Sequence, residues 1–135
     1  MDLSKAMMIS ASGMKAQSVR MRVISENLAN SDSLPNTAGT DPYRRKVVSF
    51  ADVLNRKDGI HEVKVTNVGV DKSDFGKRYQ PGHPAADGDG YVQTPNVNSL
   101  MEVMDMKQAQ RSYEANINAV ETSRAMISRT IELLR

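Results

Sequence analysis

The run Asn98 to Arg135 constrains this fold more than any other stretch. Val103, Met106, Gln110, Tyr113, Ile117, Val120, Arg124, Ile127, Ile131 and Leu134 are separated alternately by three and four residues, and all but Gln110 and Arg124 are apolar. That spacing, close to 3.5, places them on one seam of a helix that meets another helix along its length. At about 1.5 Å per residue the helix reaches about 55 Å, longer than a small domain is wide. Ser99 and Glu102 have the spacing of a capping box at its start, and no proline interrupts it. Ordering such a helix costs about 1–2 kcal/mol per residue in backbone entropy, whereas a seam side chain returns about 1.5–3 kcal/mol only when buried. The stripe therefore requires a partner.

Residues 3–28 repeat the pattern. Leu3, Met7, Ser10, Met14, Gln17, Met21, Ile24 and Leu28 step by three and four, with Ser10 and Gln17 as polar interruptions. Small residues (Ala6, Ala11, Ser12, Gly13, Ala16) crowd the other positions and permit close helix approach, although Gly13 costs about 1 kcal/mol against alanine. This helix is expected to be disordered in an isolated monomer. Asn30, Ser31 and Asp32 end it.

All nine Met lie in residues 1–28 or 101–126, and all five Pro lie between Pro35 and Pro95. The chain therefore divides into an N-terminal helix over 1–30, a middle segment over 31–97, and a C-terminal helix over 98–135. The expected class is mainly α, with a small β-containing, turn-rich middle. Within that middle, 43–50 is predicted as a strand, Asp58-Gly59 as a turn, and 60–71 as a strand whose alternation shifts parity near Thr66 and Asn67. Residues 72–95 read as irregular chain with a short strand near 90–94. Two seams at the ends of one chain can pair, parallel or antiparallel, if the middle returns the chain. Period alone leaves open whether burial is within or between molecules.

Composition narrows the function. Eighteen Lys and Arg against sixteen Asp and Glu leave a net charge of +2, too mild for a nucleic-acid binder, and Arg44-Arg45-Lys46 has only Tyr43 interleaved. The Met-rich seams lack Trp or Phe anchors and a strongly basic face, against residence on a membrane, and no apolar run is long enough to cross one. The N-terminus shows no secretory signal. Cysteine is absent, which excludes disulfides and thiol chemistry. His83, Asp87 and Asp89 could hold a metal, but Asp-Gly pairs are ordinary turn formers and the later acid of a calcium loop is missing. His61 sits in an alternating strand and shares no motif with a nucleophile. No enzyme, cofactor or metal site is expected.

Several segments resemble the bacterial flagellar rod and hook protein family. RMRVISENLANSDS (residues 20–33), followed by DPYRRKVVSF (residues 41–50), is similar to its N-terminal signature, with Asn27-Leu28-Ala29-Asn30 as the core. YQPGHPAADGDGYVQTPNVN (residues 79–98) and MKQAQRSYEANINAVETS (residues 106–123) resemble the proximal-rod branch. The resemblance implies a structural subunit without catalysis, exported by the flagellar type III system without a cleaved signal. It also implies terminal helices paired as a coiled-coil-like inner domain lining a channel in a rod that crosses the periplasm. The implied partners are copies of itself, other rod proteins, the export apparatus and a basal-body ring. Leu3, Met7, Met14, Met21, Ile24, Asn27, Leu28, Asn30, Met106, Tyr113, Ile117, Val120, Ile127, Ile131 and Leu134 are the expected interface residues. The alternatives are a distal-rod protein of the same family or a cytosolic coiled-coil adaptor.

Overall fold

A computed structural model describes residues 2–134. The element order is α1 (Leu3–Ala29), β1 (Lys46–Asn55), β2 (Ile60–Val70), β3 (Gly76–Tyr79), β4 (Tyr91–Thr94) and α2 (Ser99–Leu133). Strands β1 and β2 form one two-stranded sheet and β3 and β4 another. Of the described residues 47% are helical and 22% are in strands. The class is therefore two helices with two small antiparallel sheets, which corrects the expectation of a mainly α chain with a turn-rich middle. The physical reason is that neither sheet buries a continuous face. In β3 every residue is exposed, so no alternation marks it, and β1 runs on through Ala51–Asn55, past the end of the predicted strand at Phe50.

Local chemistry sets each boundary. Asp2 Oδ1 accepts the Ser4 N–H (3.0 Å) at the start of α1. Its end is closed by Asn30 Nδ2 donating to the Glu26 carbonyl, Ser31 Oγ to that of Leu28 and Ser33 Oγ to that of Asn30. Helix α2 is capped by Asn98, whose Oδ1 takes the Leu100 and Met101 N–H groups. The predicted Ser99–Glu102 capping box does not form, because Glu102 is fully buried and bonded to Arg45 and Asn27. At the β1–β2 turn Asn55 Oδ1 accepts the Lys57 N–H while its amide donates to Asp58 and Glu62. Along β2 the less exposed residues are Ile60 and Glu62, then Val65 and Gly69, so the parity shift falls between 62 and 65 rather than at 66–67. Strand β3 pairs with β4 from Gly76 opposite Thr94 to Tyr79 opposite Tyr91, whose rings meet edge-on at 5.3 Å. Gly90 has a φ of +83°, and a Cβ there would lie 2.9 Å from the Tyr79 ring, so glycine is required before β4.

Contacts divide the chain into two compact units. The first comprises 1–21, 48–67 and 107–135, and the second 22–47 and 68–106. In the first, Arg20 donates to Gln108 (3.2 Å) and Gly13 lies against Asn116, so α1 and α2 run antiparallel. Its fully buried apolar residues are few: Ala16, Ile60 and Ala109. Ser12 Oγ accepts the Val63 N–H, which fastens β2 to α1. In the second unit the buried set is Val23, Ile24, Ala85 and Val92 with the polar Asn27 and Glu102.

In the single chain α1 is helical and packed on α2 and β2, which differs from the expectation of a disordered monomer helix, and Gly13 faces Asn116 across the contact with α2. A Cβ built on it would sit 2.9 Å from Asn116 Nδ2, and Asn116 is held by donating to the Ser112 carbonyl. Gly13→Ala is expected to be near neutral, because the helix-propensity gain of about 1 kcal/mol offsets moving one side-chain end. Gly13→Leu is expected to destabilise by about 1–3 kcal/mol through overpacking, read as a fall in the urea midpoint of the purified chain.

Candidate subunit interface

The second unit is organised around a saturated polar cluster. Asn27, 1% exposed, uses every hydrogen-bonding position of its amide. Its Nδ2 donates to the Lys46 carbonyl (2.9 Å) and to Glu102 Oε2 (3.1 Å). Its Oδ1 accepts from the Tyr43 hydroxyl (2.9 Å) and the Lys46 N–H (2.8 Å). Burial pushes the Tyr43 hydroxyl above its ordinary range, favouring the protonated form that donates to Asn27. Arg45 donates through Nε to Glu102 Oε1 and also faces Asp71 at 3.8 Å and Asp105 at 3.5 Å. Its N–H goes to Asn96 Oδ1 (2.8 Å), and Asn96 Nδ2 donates to the Asp71 and Ser73 carbonyls. The end of α1, the root of the β1–β2 sheet and the first turn of α2 thus share one network. A buried carboxylate is tolerable here because its lone pairs and charge are met.

The outer ionic contacts fix the pH response. The Lys46 hydrogen bond holds the Glu26 carboxyl below its usual range, and Glu26 in turn raises the Lys46 ammonium. Backbone and side-chain hydrogen bonds from Ser73 lower Asp71, and the Asn55 amide lowers Glu62. Carboxyls with depressed folded values contribute stability above their unfolded pKa of about 4 and lose it as pH falls through the folded value. The raised Lys46 contributes below about 10.4 and loses that as pH rises further. A stability plateau from about pH 5 to 10 with a decline below about pH 4 is expected, checked by urea midpoints at pH 7 and pH 3.

The expected interface residues separate into three groups. Ile24 (5% exposed) and Asn27 are buried within the chain itself, leaving almost no surface for a second subunit in this conformation. Leu3, Met7, Met14, Met21, Leu28, Asn30, Met106, Tyr113, Ile117, Val120 and Ile127 are half-buried. Ile131 and Leu134 are exposed, at 57% and 83%. On α2 the inward face is centred on Glu102 and Ala109, both fully buried, one position away from the expected seam residues Val103 and Gln110, which are exposed.

Sequence reasoning missed Arg45, Tyr43 and Glu102 as the organisers of the network. It also missed the exposed apolar group Leu100, Met101 and Met104. A buried Asn and Glu cannot be told from solvated ones by spacing. The four consecutive residues Leu100, Met101, Glu102 and Val103 did carry a signal, since three apolar residues cannot all face one side of a helix. In the 79–98 stretch Asp87 Oδ1 accepts the Asp89 and Tyr91 N–H groups and His83 Nδ1 accepts that of Ala85, a turn network. His61 pairs with Asp52 on an exposed strand face. Among the described residues no group of His, Asp and Glu is arranged to hold a metal, and no helix is long and apolar enough to cross a membrane.

Comparison with known proteins converges on one family. Residues 7–33 match the family described as flagella basal body rod protein, and residues 89–133 match the flagellar basal body rod FlgEFG protein C-terminal family. These two matches contain α1 from residue 7 onward with its closing turn, and β4 with α2. The flagellar basal-body rod protein FlgC of Agrobacterium fabrum is 48% identical over 133 residues, covering 98% of this chain and 96% of the relative. FlgC of Bacillus subtilis is 39% identical, with 93% of each covered, and FlgC of Salmonella typhimurium is 38% identical, with 93% and 92% covered. A network that ties the Asn27 motif to Tyr43, Arg45 and the start of α2, inside a chain alike from end to end, leaves one assignment: this chain belongs to the FlgC family of flagellar basal-body rod proteins, structural subunits rather than enzymes.

Proposed function

We propose that this rod subunit polymerises through its terminal helices into a hollow helical drive shaft that transmits torque and encloses the export channel. The carrying observation is that pairing within the chain leaves apolar side chains of both helices in water. Met8 and Ile9 are 42% exposed on α1, and Leu100, Met104, Met126 and Leu133 are 50–87% exposed on α2. Neighbouring apolar residues exposed together on one helix, such as Met8 with Ile9 and Leu100 with Met101 and Met104, mark association surfaces. Identical subunits joined by a contact between unlike surfaces build an open helix unless the rotation closes. The half-buried seam residues from Leu3 to Leu28 and from Met106 to Ile127, with Ile131 and Leu134, supply that interface beside their contacts within the chain. The partners are further copies, other rod proteins, a basal-body ring and the export apparatus. The rod crosses the periplasm, and the subunit reaches it through the type III system without a cleaved signal. The sparse apolar core of the first unit suits passage through a narrow channel, since little packing has to be undone.

Fractionation tests this. A tagged full-length chain is expected in isolated basal bodies of normal cells and only in the cytosol of cells lacking the export apparatus. Retention in the cytosol of both would support the cytosolic adaptor instead.

A further inference from the structure

We propose that the outer edge of β1 is a docking site for an extended segment of another protein, one that alternates apolar residues and carries an acidic residue beside the β1–β2 turn. The contact goes beyond the assembly proposed above, since it uses neither terminal seam. Asn27 shows which way the edge faces. Its Oδ1 accepts the Lys46 N–H (2.8 Å) and its Nδ2 donates to the Lys46 carbonyl (2.9 Å). One side-chain amide thus makes both bonds that a residue of a third strand would make. The neighbouring Arg45 carbonyl accepts the Asp71 N–H on the β2 side, so Lys46 faces away from β2, and by alternation Val48 does too. The sheet has two strands only, and among the described residues no hydrogen bond from outside the β1–β2 pair reaches Val48 to Leu54. Strand β2 differs, because Ser12 of α1 takes its Val63 N–H. The open backbone is that of β1, about 20 Å of it at about 3.3 Å per residue. Unpaired strand edges recognise extended backbone.

Side chains select the occupant. Phe50 and Leu54, 39% and 49% exposed, share the open face of β1 with Asp52, which is already paired with His61. Cross-strand neighbours on one face interact, so apolar residues at alternate positions suit Phe50 and Leu54. At the turn Arg56 and Lys57 are exposed and make no ion pair among the described residues, while Asp58 is held by the Asn55 amide. That end of the edge is therefore cationic and selects a carboxylate. A second copy of this chain fits poorly. Its fully exposed strand β3 carries Lys77 and Arg78, the same sign as the turn. A second β1 laid antiparallel would bring its own Arg56 and Lys57 to the Lys46 end, where Asn27 already fills the edge.

The test uses the purified full-length chain and a fluorescent synthetic peptide that alternates valine and threonine and ends in glutamates. This peptide is expected to bind at least tenfold more tightly than one ending in lysines or one N-methylated at alternate residues, and to slow amide exchange at Val48. Val48→Pro removes an N–H that faces away from β2, which an edge strand tolerates, and is expected to weaken binding at least tenfold with the urea midpoint unchanged. Should that variant unfold, Phe50→Ser combined with Leu54→Ser replaces it, with the same loss expected. Binding undiminished by N-methylation would overturn the strand-edge contact, and equal binding of the lysine peptide would overturn the acidic occupant. Absence of saturable binding of the glutamate peptide at millimolar concentration would overturn the site. Self-association of the chain that the peptide competes away would make a second copy the occupant and overturn the proposed partner. Each result is independent of where the unsubstituted chain fractionates.

Discussion

Asn27→Asp is expected to destabilise the purified chain by about 3–5 kcal/mol at pH 7, a larger loss than Asn27→Ala, although aspartate has almost the shape of asparagine. The oxygen replacing Nδ2 would lie 2.9 Å from the Lys46 carbonyl and 3.1 Å from Glu102 Oε2, where the native amide donates to both. Two carboxylates at that distance repel by about 5 kcal/mol at an effective dielectric near 20, and the Arg45 guanidinium offsets part of it. Protonation of one carboxyl caps the cost. Asn27→Ala instead strands the Lys46 N–H, the Lys46 carbonyl and the Tyr43 hydroxyl, for about 2–4 kcal/mol. The two differ in pH response. The introduced carboxyl has a folded pKa raised above its unfolded value of about 3.9, so the Asp variant binds more protons when folded and recovers stability as pH falls from 7 toward 5. The Ala variant does not. Urea midpoints of both variants at pH 7 and pH 5 check this, and an Asp variant no worse than Ala at pH 7 would contradict the donor role of the Asn27 amide.

The second large effect concerns assembly. Ile117→Asp is expected to abolish rod incorporation and motility while leaving expression intact. Ile117 is half-buried beside Asn116, the residue that meets Gly13 on α1, and part of its side chain faces solvent in the single chain. A carboxylate there needs water that helix packing removes, and the effective penalty for an unpaired ion is several kcal/mol. Each 1.4 kcal/mol is tenfold in association, so about 3 kcal/mol weakens a subunit contact more than a hundredfold. Leu28→Asp, at the end of α1, is expected to act alike. Motility in soft agar and recovery of the variant in isolated basal bodies are the readouts, and normal swimming by either variant would contradict the interface assignment.

The helices were legible in the sequence because their signal is local and repeated. Three-and-four spacing ran over eight positions in α1 and nine in α2, no proline entered either, and the observed spans fall within two residues of those expected. The Asp58-Gly59 turn and the 90–94 strand were legible for the same reason. The sheets were legible only in part. β3 has four exposed residues and no pattern, and its strand character comes from pairing with β4, whose Val92 is fully buried.

The destination of the polar side chains was decided by tertiary structure alone. By spacing, Glu102 belonged to a capping box. In the fold Asn98 supplies the cap, and Glu102 is free to meet Arg45, 57 residues away in the chain. Asn27 belonged by resemblance to a motif at a subunit contact, and in the fold its amide joins Tyr43, Lys46 and Glu102 within one molecule. Periodicity records which residues share a face of one helix. It does not record what lies opposite, so the α2 stripe could be read from the sequence while its offset toward Glu102 and Ala109 could not. At Glu102 the offset serves the Arg45–Glu102–Asn27 network, whose completion requires residues that only folding brings together.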